Sequence, residues 1–246
     1  MLRNIFIFIF AFLVMSNSVA RQPGQPKVAV VLSGGGAKGF AHIGVLKILE
    51  EQDIPVDIIV GTSIGAIVGG LYSIGYTADE IELMARSQDW SSVLSDDVSR
   101  TQLSHNRRMD QQRFVLSIPT EEYFKPTLPQ GAIRGQNVLN LLAELSGNVP
   151  VDANFNDFPI PFACVGTDIT TGEEIVINNG FFPTAIYSSM SIPGAFVPLE
   201  HNGHVMIDGG IANNFPSDVA KKMGADIIIG VDIRNDLHDL EDIKSV

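Results

Sequence analysis

Cysteine is almost absent from this sequence: its 246 residues include a single one, Cys164, which lies within an apolar run. One cysteine cannot form an internal disulfide, and a cysteine among apolar residues is more typical of a packed core than of a nucleophile. The C-x-x-C and H-E-x-x-H patterns that often supply zinc ligands are also missing. We therefore expect neither a disulfide framework nor a structural metal.

Basic residues are few in comparison with acidic ones: 16 Lys and Arg against 28 Asp and Glu give a formal net charge of −12. Proteins that bind nucleic acid use a basic face to neutralise phosphates, so no nucleic-acid partner is expected. The same charge disfavours broad electrostatic adhesion to anionic membranes. With 45% hydrophobic and 18% charged residues, the chain fits one large or two small globular domains rather than a disordered chain.

The N-terminal apolar run, residues 5–15, is too short to cross a membrane as a helix, which needs about 20 residues. Arg3 precedes it, and Ser18-Val19-Ala20 places small residues where a signal peptidase cuts. An uncleaved anchor is the alternative to a cleaved signal. The pattern predicts a signal peptide at residues 1–20, a lead-in segment at residues 21–26 and a single domain at residues 27–246. We expect an exported protein located in the periplasm, at the outer membrane or outside the cell.

A serine lies between an apolar run and a helical pattern. Residues 56–60 predict a buried strand, and apolar residues after position 65 continue at helical spacing. Between them, G-x-S-x-G is formed by Gly61, Thr62, Ser63, Ile64 and Gly65. A strand, a tight turn and a helix would expose the serine hydroxyl and aim the helix N-terminus at an oxyanion beside it. A chance match is the alternative, because the chain contains 23 glycines.

A glycine-rich turn follows the first predicted strand, residues 27–32, and allows three interpretations. The turn consists of Gly34, Gly35, Gly36, Ala37, Lys38 and Gly39. The dinucleotide fingerprint G-x-G-x-x-G requires an acidic residue at the end of the second strand, where this chain has Gly61-Thr62-Ser63. A phosphate-binding loop requires Gly-Lys-Ser/Thr, and Lys38 lies between alanine and glycine instead.

An oxyanion hole is the third interpretation of this turn. Consecutive glycines allow backbone N–H groups to converge on one point, which suits a developing negative charge. Strands at residues 27–32 and 56–60 would be parallel neighbours joined by a helix, so their carboxyl ends would lie side by side. The glycine turn is therefore expected next to Ser63.

The rest of the chain alternates between strand and helix patterns. Thr77 with Glu80 predicts a capping box at a helix start, and residues 90–129 predict a surface excursion, either a lid or a plain loop. Further helices are predicted at residues 134–145 and 185–190. Further strands are predicted at residues 159–167, 173–177, 205–207 and 226–231, the last of them buried. The alternation predicts an α/β fold of three layers, α/β/α, around a mostly parallel central sheet.

A serine nucleophile needs a partner that takes its proton. Of the five histidines, His42 is predicted to be structural and His201 and His204 to flank a turn, while His105 and His238 have no motif around them. Asp208 has a better setting, because an apolar run leads into Asp208-Gly209-Gly210. A carboxylate can act as the base when it is held within hydrogen-bond reach and partly desolvated.

These motifs, in this order and spacing, resemble the patatin-like phospholipase family. The resemblance rests on residues 34–39 (GGGAKG), 61–65 (GTSIG), 188–198 (SSMSIPGAFVP) and 208–210 (DGG), and it extends from about residue 27 to residue 231. It implies a Ser–Asp dyad, with Ser63 as nucleophile and Asp208 as general base. It also implies an oxyanion hole from the amides of Gly34, Gly35, Gly36 and Ile64. Plant members often have aspartate where this chain has Ser33 and arginine where it has Lys38.

The resemblance further implies a hydrolase of lipid acyl esters, of the phospholipase A or lysophospholipase type, that needs no cofactor or metal. Its partners would be a glycerophospholipid or lysophospholipid and, transiently, a membrane surface. Two alternatives belong to other classes: a non-catalytic passenger domain of an envelope protein, and a nucleotide-binding protein that uses residues 34–39. The presence of both Ser63 and Asp208 favours the hydrolase over the passenger.

Overall fold

The computed structural model describes residues 24–96, 120–121, 125–126 and 131–234. The predicted signal peptide, most of the predicted excursion at residues 90–129, and His105 and His238 lie outside these ranges. Within them, none of the helices combines the length and apolar character needed to cross a membrane.

The strands and helices of the described residues follow the predicted alternation. The strands are β1 Val28–Leu32, β2 Ile58–Thr62, β3 Thr120–Glu121, β4 Lys125–Pro126, β5 Gly131–Ile133, β6 Ala153–Asn154, β7 Phe162–Asp168, β8 Glu174–Ile177, β9 Asn179–Gly180, β10 Gly194–Phe196, β11 Leu199–His201, β12 His204–Asp208 and β13 Ile227–Val231. The helices are α1 Ala41–Glu51, α2 Ile64–Ser73, α3 Ala78–Ser87, α4 Trp90–Val93, α5 Gln136–Leu145, α6 Phe182–Met190 and α7 Ser217–Lys222. Short 3-10 turns occupy Gly36–Phe40, Phe155–Asp157 and Gly209–Ile211.

A seven-stranded sheet forms the middle layer, in the order β11-β12-β7-β2-β1-β13 with β8 also paired to β7. The four strands β7, β2, β1 and β13 are parallel neighbours. The strands β8, β12 and β11 join the same sheet through antiparallel pairs. The sheet is therefore mixed: its parallel part carries the strand before Ser63, and its antiparallel part carries the strand that ends at Asp208.

The central strands are buried on both faces, as parallel strands in an α/β protein must be. One face, including Val30, Ile59 and Phe162, packs into a large core with helices α1, α2, α3, α5 and α6. The other face, including Val31 and Val60, packs into a smaller core that α7 covers. Helices thus lie on both sides of the sheet, and the predicted three-layer α/β/α class is confirmed.

The strand predicted at residues 226–231 forms as β13, but the prediction that it is buried is wrong. Ile227 is 47% exposed and Ile228 is 37% exposed. The reason is its position, because β13 lies at the edge of the sheet and pairs, among the described strands, only with β1. An unbroken apolar run predicts a strand, but it does not tell an edge strand from a central one.

Candidate active site

Ser63 lies at a sharp turn between β2 and α2, as the sequence predicts. Its backbone has φ 55° and ψ −121°, a region that residues other than glycine rarely adopt. The flanking glycines are required by close backbone contacts. A Cβ added at Gly61 would lie 2.4 Å from the Gly65 carbonyl oxygen, and one added at Gly65 would lie 2.3 Å from the Leu32 carbonyl oxygen.

The hydroxyl of Ser63 donates a hydrogen bond of 2.7 Å to Oδ2 of Asp208. The other carboxylate oxygen, Oδ1, accepts from the Gly210 N–H at 2.7 Å. Both Ser63 and Asp208 are buried. Burial raises the pKa of Asp208 above its ordinary range, and the hydrogen bonds from Ser63 and Gly210 offset part of that rise. Serine and aspartate therefore form a direct pair in which the carboxylate can accept the serine proton.

The register of β7 explains why two residues 145 positions apart meet. Along β7, Val165 pairs with Thr62 of β2 and the next residue, Gly166, pairs with Asp208 of β12. The strand β8 pairs with residues 164–167 of β7, so it occupies the opposite edge. Because a strand has two edges, β2 and β12 share one of them and meet end to end. Ser63 and Asp208 lie where the two strands meet.

The turn after Asp208 is held against β7. A Cβ added at Gly209 would lie 2.0 Å from the Val165 carbonyl oxygen, so this position has room only for glycine. Thr167 donates its hydroxyl to the Asp208 carbonyl oxygen at 2.9 Å and accepts from the Ala212 N–H at 3.2 Å. The predicted Asp-Gly-Gly motif is therefore a turn that fixes the aspartate on the sheet.

The glycine turn after β1 lies against Ser63, as predicted. A Cβ added at Gly34 would lie 3.1 Å from the Cβ of Ser63, and one added at Gly39 would lie 2.2 Å from the Ile64 side chain. The 3-10 turn that begins at Gly36 contains Ala37 and Lys38, which are exposed, and continues directly into α1.

The amide of Gly34 is already used within the fold. It donates to the carbonyl oxygen of Asn214 at 3.3 Å, and the Asn214 side-chain amide donates back to the Gly34 carbonyl at 3.3 Å. This bond conflicts with the predicted role of Gly34 as an oxyanion donor, and Gly34 instead anchors the loop. Gly36 and Ile64 each begin a helical segment, and such first amides have no carbonyl in a preceding turn to bond. The amides of Gly35, Gly36 and Ile64 therefore remain as the candidate donors.

An apolar cavity of about 430 Å³ opens beside Ser63. Helices α1, α2, α3, α5 and α6 contribute its walls, and Phe40 packs on Trp90 at its side with ring centroids 5.6 Å apart. Its apolar lining includes Ile43, Ile67, Leu71, Met84, Val138, Leu142, Met190 and Phe196. A second, shallower depression of about 260 Å³ is lined by Gly34, Gly35, Gly36, Ile192, Pro193, Ile211 and both dyad residues. Ser63 borders both spaces.

The described histidines serve other parts of the fold. His42 is buried and donates from Nε2 to the Ser33 carbonyl oxygen at 2.8 Å, and burial lowers its pKa. His204 bonds through Nδ1 to Asp168 at 2.7 Å, and it faces His201 across the β11–β12 hairpin. No described histidine is hydrogen-bonded to Ser63 or Asp208.

No metal site or second nucleophile emerges from the described part of the chain. Within it, no three His, Cys, Asp or Glu side chains are grouped so that they could hold a metal ion. Cys164 is fully buried in the large core, and this burial raises the pKa of its thiol above the ordinary range. The prediction that Cys164 is a core residue is confirmed.

Three residues at the site were not identified individually from the sequence: Thr167, Ser189 and Asn214. Ser189 accepts the Ser63 N–H at 2.9 Å, although it lies 126 positions away in the chain. The sequence contains only a weak signal for the role of Ser189. Two adjacent serines, Ser188 and Ser189, lie within an otherwise apolar helical pattern, and a polar side chain in such a place needs a partner.

Known proteins provide an independent comparison. The family model described as patatin-like phospholipase matches residues 30–221. Patatin-like phospholipase domain-containing protein 7 of Rattus norvegicus is 34% identical over 208 residues, and protein 6 of that name from Homo sapiens is 33% identical over the same length. Each match covers 84% of this chain and 13% of the relative. The uncharacterized NTE family protein Mb1092c of Mycobacterium bovis is 30% identical over 214 residues, which is 87% of this chain and 51% of that protein.

Solved structures are similar to parts of this chain. VipD from Legionella pneumophila aligns with a TM-score of 0.48 at 18% identity, over 77% of this chain and 46% of VipD. The ExoU–SpcU complex of Pseudomonas aeruginosa gives a TM-score of 0.42 at 19% identity, over 76% of this chain and 40% of the matched chain. The family assignment rests on the sequence matches alone. Since the family model covers residues 30–221 and several relatives are at least 30% identical, the chain belongs to the patatin-like phospholipase family.

Proposed function

We propose that this chain hydrolyses acyl esters of lipids with Ser63 as nucleophile and Asp208 as general base. The observation that carries the proposal is the 2.7 Å hydrogen bond between Ser63 and Asp208, located where an apolar cavity opens. Several relatives are named patatin-like phospholipase domain-containing proteins, which supports the same reaction class.

In the first half of the proposed reaction, Ser63 Oγ attacks the ester carbonyl carbon while Asp208 takes the hydroxyl proton. Negative charge develops on the carbonyl oxygen, and the amides of Gly35, Gly36 and Ile64 stabilise it. When the tetrahedral intermediate collapses, the bond to the alcohol breaks and Asp208 gives its proton to the departing oxygen. An acyl group then remains on Ser63.

In the second half, a water molecule attacks the acyl-enzyme while Asp208 takes one of its protons. Collapse of this second intermediate releases the fatty acid, and the proton on Asp208 returns to Ser63 Oγ. The enzyme is then restored, and no cofactor or metal takes part in either half of the scheme.

The substrate class follows from the cavity beside Ser63. Its lining is almost entirely apolar, which suits an acyl chain, while the shallow depression beside Ser63 is more open and is lined by the glycine turn, Ile192, Pro193 and Ile211. We infer that the acyl chain occupies the cavity and that the alcohol part of a glycerophospholipid or lysophospholipid remains at the mouth. Two isoleucines at this mouth, Ile192 and Ile211, are 48% and 58% exposed, and they support a transient contact with a lipid surface.

A labelling experiment tests the proposed nucleophile, and product analysis tests the substrate class. A fluorophosphonate probe should label the wild-type protein and should not label the Ser63→Ala variant. Incubation with mixed phospholipids should release fatty acids and lysolipids from the wild type alone. Equal labelling of both proteins would rule out Ser63, and labelling without release of fatty acid would reject the lipid substrate.

The two alternative functions have less support. The nucleotide fingerprint places pyrophosphate at the start of an α-helix, whereas residues 34–39 lead into a 3-10 turn and α1 begins at Ala41. A non-catalytic passenger domain has no need for a hydrogen-bonded Ser63 and Asp208. A titration with mononucleotides and dinucleotides should therefore show no binding.

We also propose that the chain is exported and that cleavage follows Ala20. The support is the sequence pattern of residues 1–20, with Arg3 before an apolar run and small residues at its end. Expression of the whole chain in a bacterial host should give a mature protein whose N-terminal residue is Arg21. Recovery of a cytoplasmic protein that retains Met1 would contradict this proposal.

A further inference from the structure

We propose that Ser189 is a positioning residue for the nucleophile: its hydroxyl holds the Ser63 backbone in the strained turn and ties that turn to β7. The inference rests on the proposed function, in which Ser63 is the nucleophile. It assigns a role to a side chain whose hydroxyl is hydrogen-bonded to the backbone of Ser63 and Val165, and not to the reacting hydroxyl or the carboxylate.

The hydroxyl of Ser189 accepts one hydrogen bond and donates another. It accepts the backbone N–H of Ser63 at 2.9 Å and donates to the carbonyl oxygen of Val165 at 2.5 Å. Ser189 is fully buried near the end of α6, and Ser63 is buried as well. Because both residues are buried, loss of the hydroxyl would leave the Ser63 N–H without its acceptor.

The bond acts on a strained part of the backbone. Ser63 has φ 55°, and a residue in this region keeps its conformation only when surrounding contacts enforce it. Within the turn, Ala66 and Ile67 donate to the Ser63 carbonyl oxygen, at 2.9 Å and 3.2 Å. Ser189 accepts the hydrogen bond from the other backbone group of the same residue, the Ser63 N–H. Together these bonds fix the peptide planes on both sides of Ser63 and therefore the direction of its hydroxyl.

The acceptor of the Ser189 hydroxyl lies where the two catalytic strands meet. Val165 pairs with Thr62, immediately before Ser63, and its carbonyl oxygen is also the atom against which Gly209 packs. Two residues after Ser189, the carbonyl oxygen of Ser191 accepts the Asp208 N–H at 2.8 Å. The end of α6 thus contacts the backbone of both dyad residues, and we infer that it sets the distance between Ser63 Oγ and Asp208.

Ser188 provides a matched control for the test. It is the preceding residue of α6 and is also fully buried, but its hydroxyl has no hydrogen-bond partner among the described residues. Ser188→Ala and Ser189→Ala remove the same atom from the same helix at the same degree of burial. Only the second substitution removes a bond to the nucleophile.

The experiment compares wild type, Ser188→Ala, Ser189→Ala and Ser189→Thr, the last of which retains a hydroxyl. The readouts are kcat and KM for a soluble short-chain ester, the rate of fluorophosphonate labelling, and the melting temperature. Ser189→Ala should lower kcat and the labelling rate by about 10- to 100-fold, the range expected for a misplaced reacting group, while KM changes little. Ser188→Ala should match the wild type, and Ser189→Thr should recover part of the lost rate.

Several outcomes would overturn the proposal. One is a Ser189→Ala protein that is folded and labelled as fast as Ser188→Ala; another is a loss confined to KM. If Ser189→Ala and Ser189→Thr both fail to fold while Ser188→Ala folds, Ser189 serves the fold and the positioning role is rejected. Absence of labelling in the wild type is a different result, because it rejects Ser63 as the nucleophile and hence the proposed function itself.

Discussion

Ser63 and Asp208 are joined by one hydrogen bond of 2.7 Å, and each is useful to the proposed reaction only with the other. When two residues act as a unit, removal of one already removes the contribution of the other. The losses of kcat/KM caused by the two single substitutions should therefore not add. Ser63→Ala and Asp208→Asn should each lower kcat/KM by at least about 10⁴-fold, and the double variant should be no worse than either. Steady-state kinetics on a soluble ester would measure all three. A double variant that is slower by the product of the two single losses would contradict the dyad.

The histidines provide the control for this interpretation. His201 and His204 lie on the β11–β12 hairpin, where His204 bonds to Asp168 rather than to the dyad. Replacement of either histidine by glutamine should leave kcat/KM within a few-fold of the wild type. A folded histidine variant as inactive as Asp208→Asn would mean that a triad, not a dyad, performs the reaction.

Asp208 should also limit stability, because burial raises its pKa in the folded chain. In the unfolded chain the pKa of this aspartate is lower. Between the two pKa values the folded state therefore binds more protons than the unfolded state, so the free energy of unfolding falls as pH rises through this range. At neutral pH the folded protein therefore holds a buried charge at a net cost in free energy. Asp208→Asn should melt at a higher temperature than the wild type at neutral pH, and the difference should shrink as pH falls through the raised pKa.

The same pKa sets the acidic limb of the rate profile. The base must be ionised to accept a proton, so kcat/KM should fall as pH drops through the raised pKa of Asp208. Thermal melts and rate profiles of the wild type and Asp208→Asn, recorded in the same buffers, check both expectations. If Asp208→Asn melts at a lower temperature than the wild type at neutral pH, the hydrogen bonds of Asp208 stabilise the fold by more than the burial of its charge destabilises it.

At the scale of the single residue, the sequence points to the two groups that the proposed reaction uses. Ser63 was recognisable because a strand, a glycine turn and a helix surround it, and Asp208 because glycines follow an apolar run. Ser189 and Asn214 were not singled out, since their roles depend on partners 126 and 180 positions away. No local pattern records such contacts.

At the scale of secondary structure, the turn around Ser63 depends on the absence of side chains. Gly65 is the second residue of α2, and a Cβ there would lie 2.3 Å from the Leu32 carbonyl oxygen of β1. Because that atom belongs to a central strand, it cannot move away easily. Gly65→Ala should therefore lower the free energy of unfolding by about 1–3 kcal/mol or more, the usual result of overpacking, and should reduce activity.

Gly44 is the matched control for this substitution. It lies within α1, is exposed, and has no atom within 4 Å of an added Cβ. Gly44→Ala should raise the free energy of unfolding by about 0.5–1 kcal/mol, because alanine favours the helix. Denaturant titrations of both variants test the pair. Similar changes in both would indicate that helix propensity, rather than the contact with β1, decides the effect at Gly65.

The order of helices and strands was more predictable than their arrangement. The capping box at Thr77 and Glu80 is present, and the predicted strands at residues 27–32, 173–177 and 205–207 form as β1, β8 and β12. Each of these predictions depends on residues close in sequence. The antiparallel pairing of β12 with β7 and the edge position of β13 depend on residues far apart, so periodicity could not reveal them.

At the scale of the whole molecule, the net charge of −12 and the two exposed isoleucines beside Ser63 predict which lipid surface the proposed hydrolase would prefer. A strongly acidic protein is repelled by anionic vesicles, and no long-range attraction brings it to zwitterionic ones. In the proposed contact with a lipid surface, the attraction would therefore come from apolar side chains near the site. Two large hydrophobic residues that line the depression beside Ser63, Ile192 and Ile211, are exposed.

Phosphatidylcholine vesicles should therefore be hydrolysed faster than vesicles that contain phosphatidylserine. Added salt should narrow this difference, because the Debye length falls to about 10 Å at 0.1 M. The variant Ile192→Ser with Ile211→Ser should lose vesicle binding and vesicle hydrolysis but keep its rate on a soluble short-chain ester. Val151→Ser is the control, since Val151 is 70% exposed but lines neither the cavity nor the mouth. If the double variant and Val151→Ser hydrolyse vesicles equally, the mouth is not the surface that meets the lipid; if the double variant also loses the soluble ester, the isoleucines act on the site itself.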